Sequence, residues 1–253
     1  MNWYYKWHIE FVAVKKVILT SYLLVIFVIA DVRAGSYIFK HVGAESELSQ
    51  SWVTSIRQDY LGFIWIGTTD GLYRYDGNNI KSYRNISGDT LSLSGNNISS
   101  VFEDKENNLW IASSRGISRY NRDRDKFYYH NHWPKENFLT VISDDSGDII
   151  IGSYTGVFIY SPEKDSFRVI LQYINKSVPF DGRQGAFSFD NKILVAGADG
   201  VSELDPRSGN FARFATFPSG TTGASINTLT RDYNGTYWIG SRESGLFYAE
   251  PTG

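Results

Sequence analysis

At 253 residues, with 42% hydrophobic and 21% charged side chains, the chain is long enough to bury a sizeable core and has the composition of a globular protein. A formal net charge of −2, with no basic stripe interleaved with aromatics, gives no support for a nucleic-acid partner. No cysteine is present, so stability has to come from packing instead of disulfides.

In chain order the first element is Val17 to Ala30, a 14-residue uncharged run behind Lys6, Lys15 and Lys16. That is the length of a signal-peptide core and short for a spanning helix. Val32-Arg33-Ala34 offers small residues where a signal peptidase reads, which predicts cleavage after Ala34 and a periplasmic product. The alternative is an uncleaved anchor, the only membrane contact then expected, whose apolar run reaches back to Phe11 and buries Lys15 and Lys16. Residues 1–34 are thus set apart from a folded region at 35–253.

Tyr37 to Val42 reads as a strand of the outer kind. After a polar loop comes Val53 to Asp76, VTSIRQDYLGFIWIGTTDGLYRYD, on which the rest of the chain is patterned. Three short alternating runs, too short for helices, are separated by turn signals at Asp59 to Gly62 and at Thr69 to Gly71. An Asp can bond the turn backbone and a Gly can take positive φ, so Asp59, Gly62 and Gly71 read as turn residues. Asn79 to Arg84 supplies a fourth strand.

The same unit returns, giving repeats at 53–84, 98–130, 139–171, 186–214 and 226–250. Asp104, Gly116 and Trp110 mark the second, with Asn107 standing in for the turn glycine as the next-best residue for a left-handed backbone. Asp144, Gly156 and Ile150 mark the third, Gly200 and Leu194 the fourth, and Asp232, Gly245 and Trp238 the fifth. Trp65, Trp110, Ile150, Leu194 and Trp238 are 45, 40, 44 and 44 residues apart. A period in the low forties with four strands per period predicts an all-β fold, a β-propeller of about five four-stranded blades. The fifth copy shows no fourth strand before Gly253. Either Tyr37 to Val42 pairs there and closes the ring at five, or the ring is partial and continues past Gly253.

The Asp59 to Asp76 spacing, with Gly62-x-x-Trp65-Ile66-Gly67 and Gly71-Leu72-x-x-Tyr75-Asp76, resembles the two-component regulator propeller repeat. The stretch from Phe39 through Ser49 that precedes it is similar to the start of the periplasmic sensor region of Bacteroides-type hybrid two-component receptors. The resemblance implies a non-catalytic periplasmic sensor of glycan fragments that controls polysaccharide-utilisation genes. In that family the propellers precede a β-sandwich, a membrane span, a histidine kinase with a receiver and a DNA-binding module, none expected within these residues. Rings of seven blades are usual there, which implies a ring longer than five.

Among candidate sites, the repeated Trp positions read as inter-blade core, because Ile150 and Leu194 replace tryptophan in two copies. The repeated Asp positions read as turn chemistry and not as a metal array, being one period apart on separate blades. His130 and His132 have no third ligand at metal spacing, so no metal and no cofactor are expected. No nucleophile motif appears.

Where the copies disagree is more informative. The turns between second and third strands should share a face with the connections between copies, and propellers commonly bind on such a face. On this basis Asp70, Arg115, Tyr154 and Arg242 at the turns and Trp52 and Trp133 in the connections are candidates for oligosaccharide binding. The aromatics would stack on sugar faces, and the arginines would hold hydroxyls or anionic groups. Two other readings stand beside this one: an enzyme of the propeller lyase or lactonase type, which needs converging carboxylates or His, and an interaction scaffold forming a homodimer through blade edges.

Overall fold

The computed structural model describes residues 38, 41–42, 48, 51–129, 133–144, 146–153, 156–172, 186–189, 192–197, 200–216, 226–241 and 244–250. Among these, nineteen strands form five antiparallel sheets, each a meander in chain order. The first sheet holds β1 (Val53–Gln58), β2 (Ile64–Thr68), β3 (Gly71–Tyr75) and β4 (Ile80–Tyr83). The second holds β5 (Ile98–Glu103), β6 (Leu109–Ser113), β7 (Gly116–Asn121) and β8 (Lys126–Tyr128). The third holds β9 (Phe138–Ser143), β10 (Ile149–Ser153), β11 (Gly156–Ser161) and β12 (Ser166–Gln172). The fourth holds β13 (Ala186–Phe189), β14 (Lys192–Gly197), β15 (Gly200–Leu204) and β16 (Phe211–Thr216). The fifth has three described strands, β17 (Ile226–Arg231), β18 (Tyr237–Ser241) and β19 (Gly245–Ala249).

The sheets are the blades of a β-propeller. Their first strands adjoin in turn, β1 against β5, β5 against β9 and β9 against β13. Hydroxyls stitch the first of these seams. The Thr54 hydroxyl donates to the Ile98 carbonyl at 2.7 Å, and the Val101 amide donates to Ser55 Oγ at 3.1 Å. The next seam repeats both bonds, Ser99 Oγ to the Phe138 carbonyl at 2.5 Å and the Val141 amide to Ser100 Oγ at 3.4 Å. In blades one, two and five the register slips by one residue just there, between Val53 and Ser55, Ile98 and Ser100, and Ile226 and Thr228. Such bulges increase local twist and re-aim side chains.

Second strands are apolar on both faces because a blade lies on either side; β6 and β10 are buried along their whole length. The core is therefore divided among the junctions. Trp65, Leu72, Ile98, Val101 and Ile111 fill the first, Trp110, Ile117, Phe138, Val141 and Ile151 the second. Ile150, Val157, Ile193 and Val195 fill the third, and Leu194, Val201, Leu229 and Ile239 the fourth. Trp65, Trp110, Ile150 and Leu194 are fully buried, each side chain of this size contributing about 1.5–3 kcal/mol. Trp238 is only half-buried, since no further blade covers β18 and β19 among the described residues.

The first turns of blades one, two, three and five are each organised by an aspartate. Asp59 Oδ1 accepts from the amides of Leu61 and Phe63 at 3.0 Å, and Oδ2 accepts from the Trp65 indole at 2.8 Å. Asp104 holds Trp110 at 2.8 Å and Asp232 holds Trp238 at 2.9 Å in the same way. Asp144 bonds the Asp148 amide at 3.0 Å, with Ile150 where the indole would be. Left-handed residues close these turns: Gly62 (φ 89°), Asn107 (65°), Gly147 (89°) and Gly235 (91°). Gly71, Gly116, Gly200 and Gly245 open the third strands with φ of 126°, 145°, 144° and 82°.

Contacts divide the chain into Met1–Val42 and Gly43–Gly253. In the first unit the described residues Ile38, His41 and Val42 are exposed and lie in no strand, so the expected strand at Tyr37 to Val42 is not seen there. The rest of that segment, and the signal or anchor at 1–34, lie outside the described residues. Among the described residues no helix is long and apolar enough to cross a membrane.

Candidate functional site

The turns between second and third strands follow one structural rule in most blades. In blades one, two, three and five the last residue of the second strand carries a hydroxyl that turns back onto the loop, while the second strand of the fourth ends in Gly197. Thr68 Oγ1 donates to the Gly71 carbonyl at 2.8 Å and accepts from the Asp70 amide at 3.1 Å. Ser113 Oγ donates to the Gly116 carbonyl at 2.9 Å and accepts from the Arg115 amide at 3.3 Å. Ser153 Oγ donates to the Gly156 carbonyl at 3.3 Å, and Ser241 Oγ accepts from the Ser244 amide at 3.0 Å. The buried hydroxyl satisfies the turn backbone, which leaves the tip residue free to face outward.

These tips do share a face with the connections. The Thr69 amide donates to the Trp52 carbonyl at 3.1 Å, Gly71 to Asn96 at 2.7 Å and Ser114 to Asn97 at 2.9 Å. The connection from β4 to β5 is itself cross-bonded. The Asn85 amide donates to Asn96 Oδ1 at 2.6 Å, the Ile86 amide donates to Ser92 Oγ at 2.9 Å, and Leu93 is fully buried beneath. Ser94 is held by hydroxyl contacts to Ser113 at 3.0 Å and Ser118 at 2.9 Å.

Between this connection, the tip of β6–β7 and the connection from β8 to β9 lies a cavity of about 370 Å³. Arg115 lines it together with Asn85, Ser87, Ser94, Ser114, Tyr129, Trp133 and Lys135. Arg115 and Lys135 are both exposed, and among the described residues no acidic side chain lines the cavity. Trp133 forms part of its floor, but not as a sugar-stacking platform. At 4% exposure its ring is stacked on Trp110 (5.9 Å between centroids) and meets Tyr160 and Phe167 edge-on at 5.2 and 5.6 Å. It fills a gap in the second junction, so neither face is open to a ligand.

The other sequence candidates are dispersed. Trp52 is 82% exposed beside the first tip. Asp70 is tied at 2.9 Å to Arg84 on the same face. Tyr154 and Arg242 lie outside the described residues. Sequence reasoning passed over Asn85, Ser94, Tyr129 and Lys135, which the repeat period does not single out; the Asn- and Ser-rich connection from Asn85 to Asn97 was the available signal.

Among the described residues, the groups with displaced pKa values lie at blade junctions, in turns or within a blade, and none lines this cavity. Burial alone would raise the Asp59 carboxyl, but the Trp65 indole, the Arg122 guanidinium at 2.7 Å and the Phe63 amide outweigh it and hold the pKa below the carboxylate norm. Arg122 also reaches Glu103 at 2.6 Å, clasping blade two to blade one. On the outer part of the same junction, burial would raise Asp125, but bonds from Lys81, Tyr120 and Tyr83 bring it down to about 2. Burial and the bond to Asp125 push the Tyr83 and Tyr120 hydroxyls well up. A second cavity of about 330 Å³ opens beside this cluster, where Asp89 and Asp125 line it together with Lys81, Arg84, Arg124 and Lys126. Among the described residues no group of three His, Asp or Glu could hold a metal; His130 and His132 lie outside them.

Residues 47–70 and 92–115 match the family described as two component regulator propeller. These stretches are two-component regulator propeller repeats. Over 83 residues, 33% of the chain, the sequence is 39% identical to histidine kinase P4 of Formosa agariphila, and it spans only 6% of that kinase. The chain superposes over 79% of its length on the extracellular domain of a hybrid two component system from B. thetaiotaomicron, with a TM-score of 0.61 and 25% identity, and spans 30% of that chain. A catalytically inactive variant of virginiamycin B lyase from Staphylococcus aureus superposes with a TM-score of 0.58, over 80% of this chain and 71% of that one. At 13% identity this last likeness concerns the fold alone.

Proposed function

We propose that this chain is a non-catalytic, ligand-sensing β-propeller of a hybrid two-component regulator, exported to the periplasm, where it binds a glycan-derived oligosaccharide to control polysaccharide-utilisation genes. The observation that carries the reading is the open cavity beside Arg115 on the loop face, set on a rigid propeller whose repeats are those of two-component regulators. Its volume suits a few sugar units, and its serine, asparagine and tyrosine lining offers donors and acceptors to hydroxyls. Binding there would act on the first two blades, which would bias one arrangement of adjoining blades over another. Supporting the non-catalytic part, the acidic groups with displaced pKa values are engaged in turns and blade junctions. Glycan arrays followed by calorimetry on the purified full chain test the reading. Saturable binding of an oligosaccharide, weakened by substitution at Arg115, is the expected result; a folded chain that binds no glycan overturns it.

A further inference from the structure

The cavity at the second tip has an unbalanced charge. Arg115 enters it from the β6–β7 turn and Lys135 from the connection before β9, both exposed, and neither is ion-paired with an acidic side chain among the described residues. Several cations elsewhere on the first two blades are paired with carboxylates: Arg84 with Asp70 at 2.9 Å, Arg122 with Asp59 and Glu103, and Lys81 with Asp125. In a chain of net charge −2, this concave site gathers two cations with no carboxylate among its described lining residues, whereas the second cavity mixes its cations with Asp89 and Asp125. They are also held on built supports. Gly95 passes directly under Arg115, so close that a Cβ there would lie 3.1 Å from the arginine Cβ, and the Ser113 hydroxyl fixes the turn below. Lys135 follows Trp133 and Pro134, and the tryptophan is anchored in the core. Concave walls of low dielectric focus the field of such a pair and favour a desolvated anion over a neutral group.

We propose that this cavity selects an anionic group on the ligand, a carboxylate or a sulfate, bound between Arg115 and Lys135. This rests on the glycan-sensing reading of the same face and narrows it to acidic sugars, with Ser87 and Ser114 able to donate to the remaining anion oxygens. The two anion sources share the recognition chemistry and are separated by experiment.

Calorimetry on the full chain uses two matched pairs, a trigalacturonate with its methyl ester and a sulfated carrageenan tetrasaccharide with its desulfated parent, together with sodium sulfate alone. One charged oligosaccharide is expected to bind about tenfold or more tighter than its neutral partner, with the preference shrinking as salt rises from about 0.05 to 0.5 M. Whichever pair shows the difference identifies carboxylate or sulfate as the anion. Arg115→Gln with Lys135→Gln should abolish the difference, the charged member losing far more affinity than its neutral partner, while the melting temperature stays unchanged, since both side chains are exposed. Arg115→Lys should retain part of it. If charged and neutral members bind alike, or the double variant keeps the preference, the anion proposal is overturned and glycan sensing stands. If no glycan binds but sulfate does, and the double variant loses it, the anion site stands and glycan sensing falls. Absence of all binding by the folded chain overturns both.

Discussion

Leu72 and Leu246 follow the turn glycine of the first and fifth blades and hold the same place in the repeat, yet one is fully buried and the other 66% exposed. The equivalents in the intervening blades, Ile117, Val157 and Val201, are buried like Leu72. Replacing Leu72 by alanine removes about three carbons at about 0.8 kcal/mol each and leaves a cavity that the rigid junction around Trp65 and Tyr120 cannot close. The expected loss is about 3 kcal/mol, or a fall in melting temperature of about 6–12 °C for a chain of this size. The same substitution at Leu246 should stay within about 0.5 kcal/mol, under about 2 °C. Thermal and urea unfolding followed by circular dichroism measure both variants side by side. Equal losses would refute the reasoning, because they would mean that the outer face of the fifth blade is covered in solution.

Asp59→Ala should cost about 3 kcal/mol, because it strands the Trp65 indole and Arg122 as well as two turn amides, whereas Asp144→Ala, which has no indole partner, should cost about 1 kcal/mol; urea midpoints will separate them. Acid should unfold the protein through the same carboxylates. Asp59 and Asp125 have folded pKa values below the ordinary value near 4, so their contribution is complete above that pH and declines as pH falls, for Asp125 down to about 2. Urea midpoints should therefore hold from about pH 7 to 5 and drop below about pH 4, and Asp59→Asn should flatten part of the drop; a midpoint constant down to pH 3 would contradict this. Gly200→Ala should disrupt the fourth blade by more than about 2 kcal/mol, since a Cβ there would sit 2.1 Å from the Ala215 carbonyl oxygen at a φ of 144°. Hydrogen exchange would show the loss of protection concentrated in β15 and β16.

What the sequence disclosed about the fold was whatever recurs. Trp65, Trp110, Ile150 and Leu194 share a period, and each has the same neighbours because each blade meets the next in the same way. Asn107 could be read as left-handed because three other copies have glycine in its place. Trp133 lies in a connection, outside the period, so comparison between copies gave it no context. Its folding back onto Trp110 depends on a gap in a junction that only the assembled blades create. Lys135 escaped notice for the same reason. The slip in register at Val53, Ile98 and Ile226 leaves no distinct residue signature, since a bulge needs only an extra residue in an exposed-edge strand. Arg115 and Asp70 were found by the opposite test, disagreement between copies at a fixed position; the two matching repeat stretches end on these two residues.

The hydroxyl that closes the upper turns of four blades has an evolutionary consequence. Thr68, Ser113, Ser153 and Ser241 fix the loop's shape from the strand end, so the tip can change its charge or size without disturbing a single strand pairing. Stability and surface chemistry are thereby written in different residues. A lineage, or a protein engineer, could redraw the chemistry of this rim one tip at a time while the scaffold beneath stayed the same.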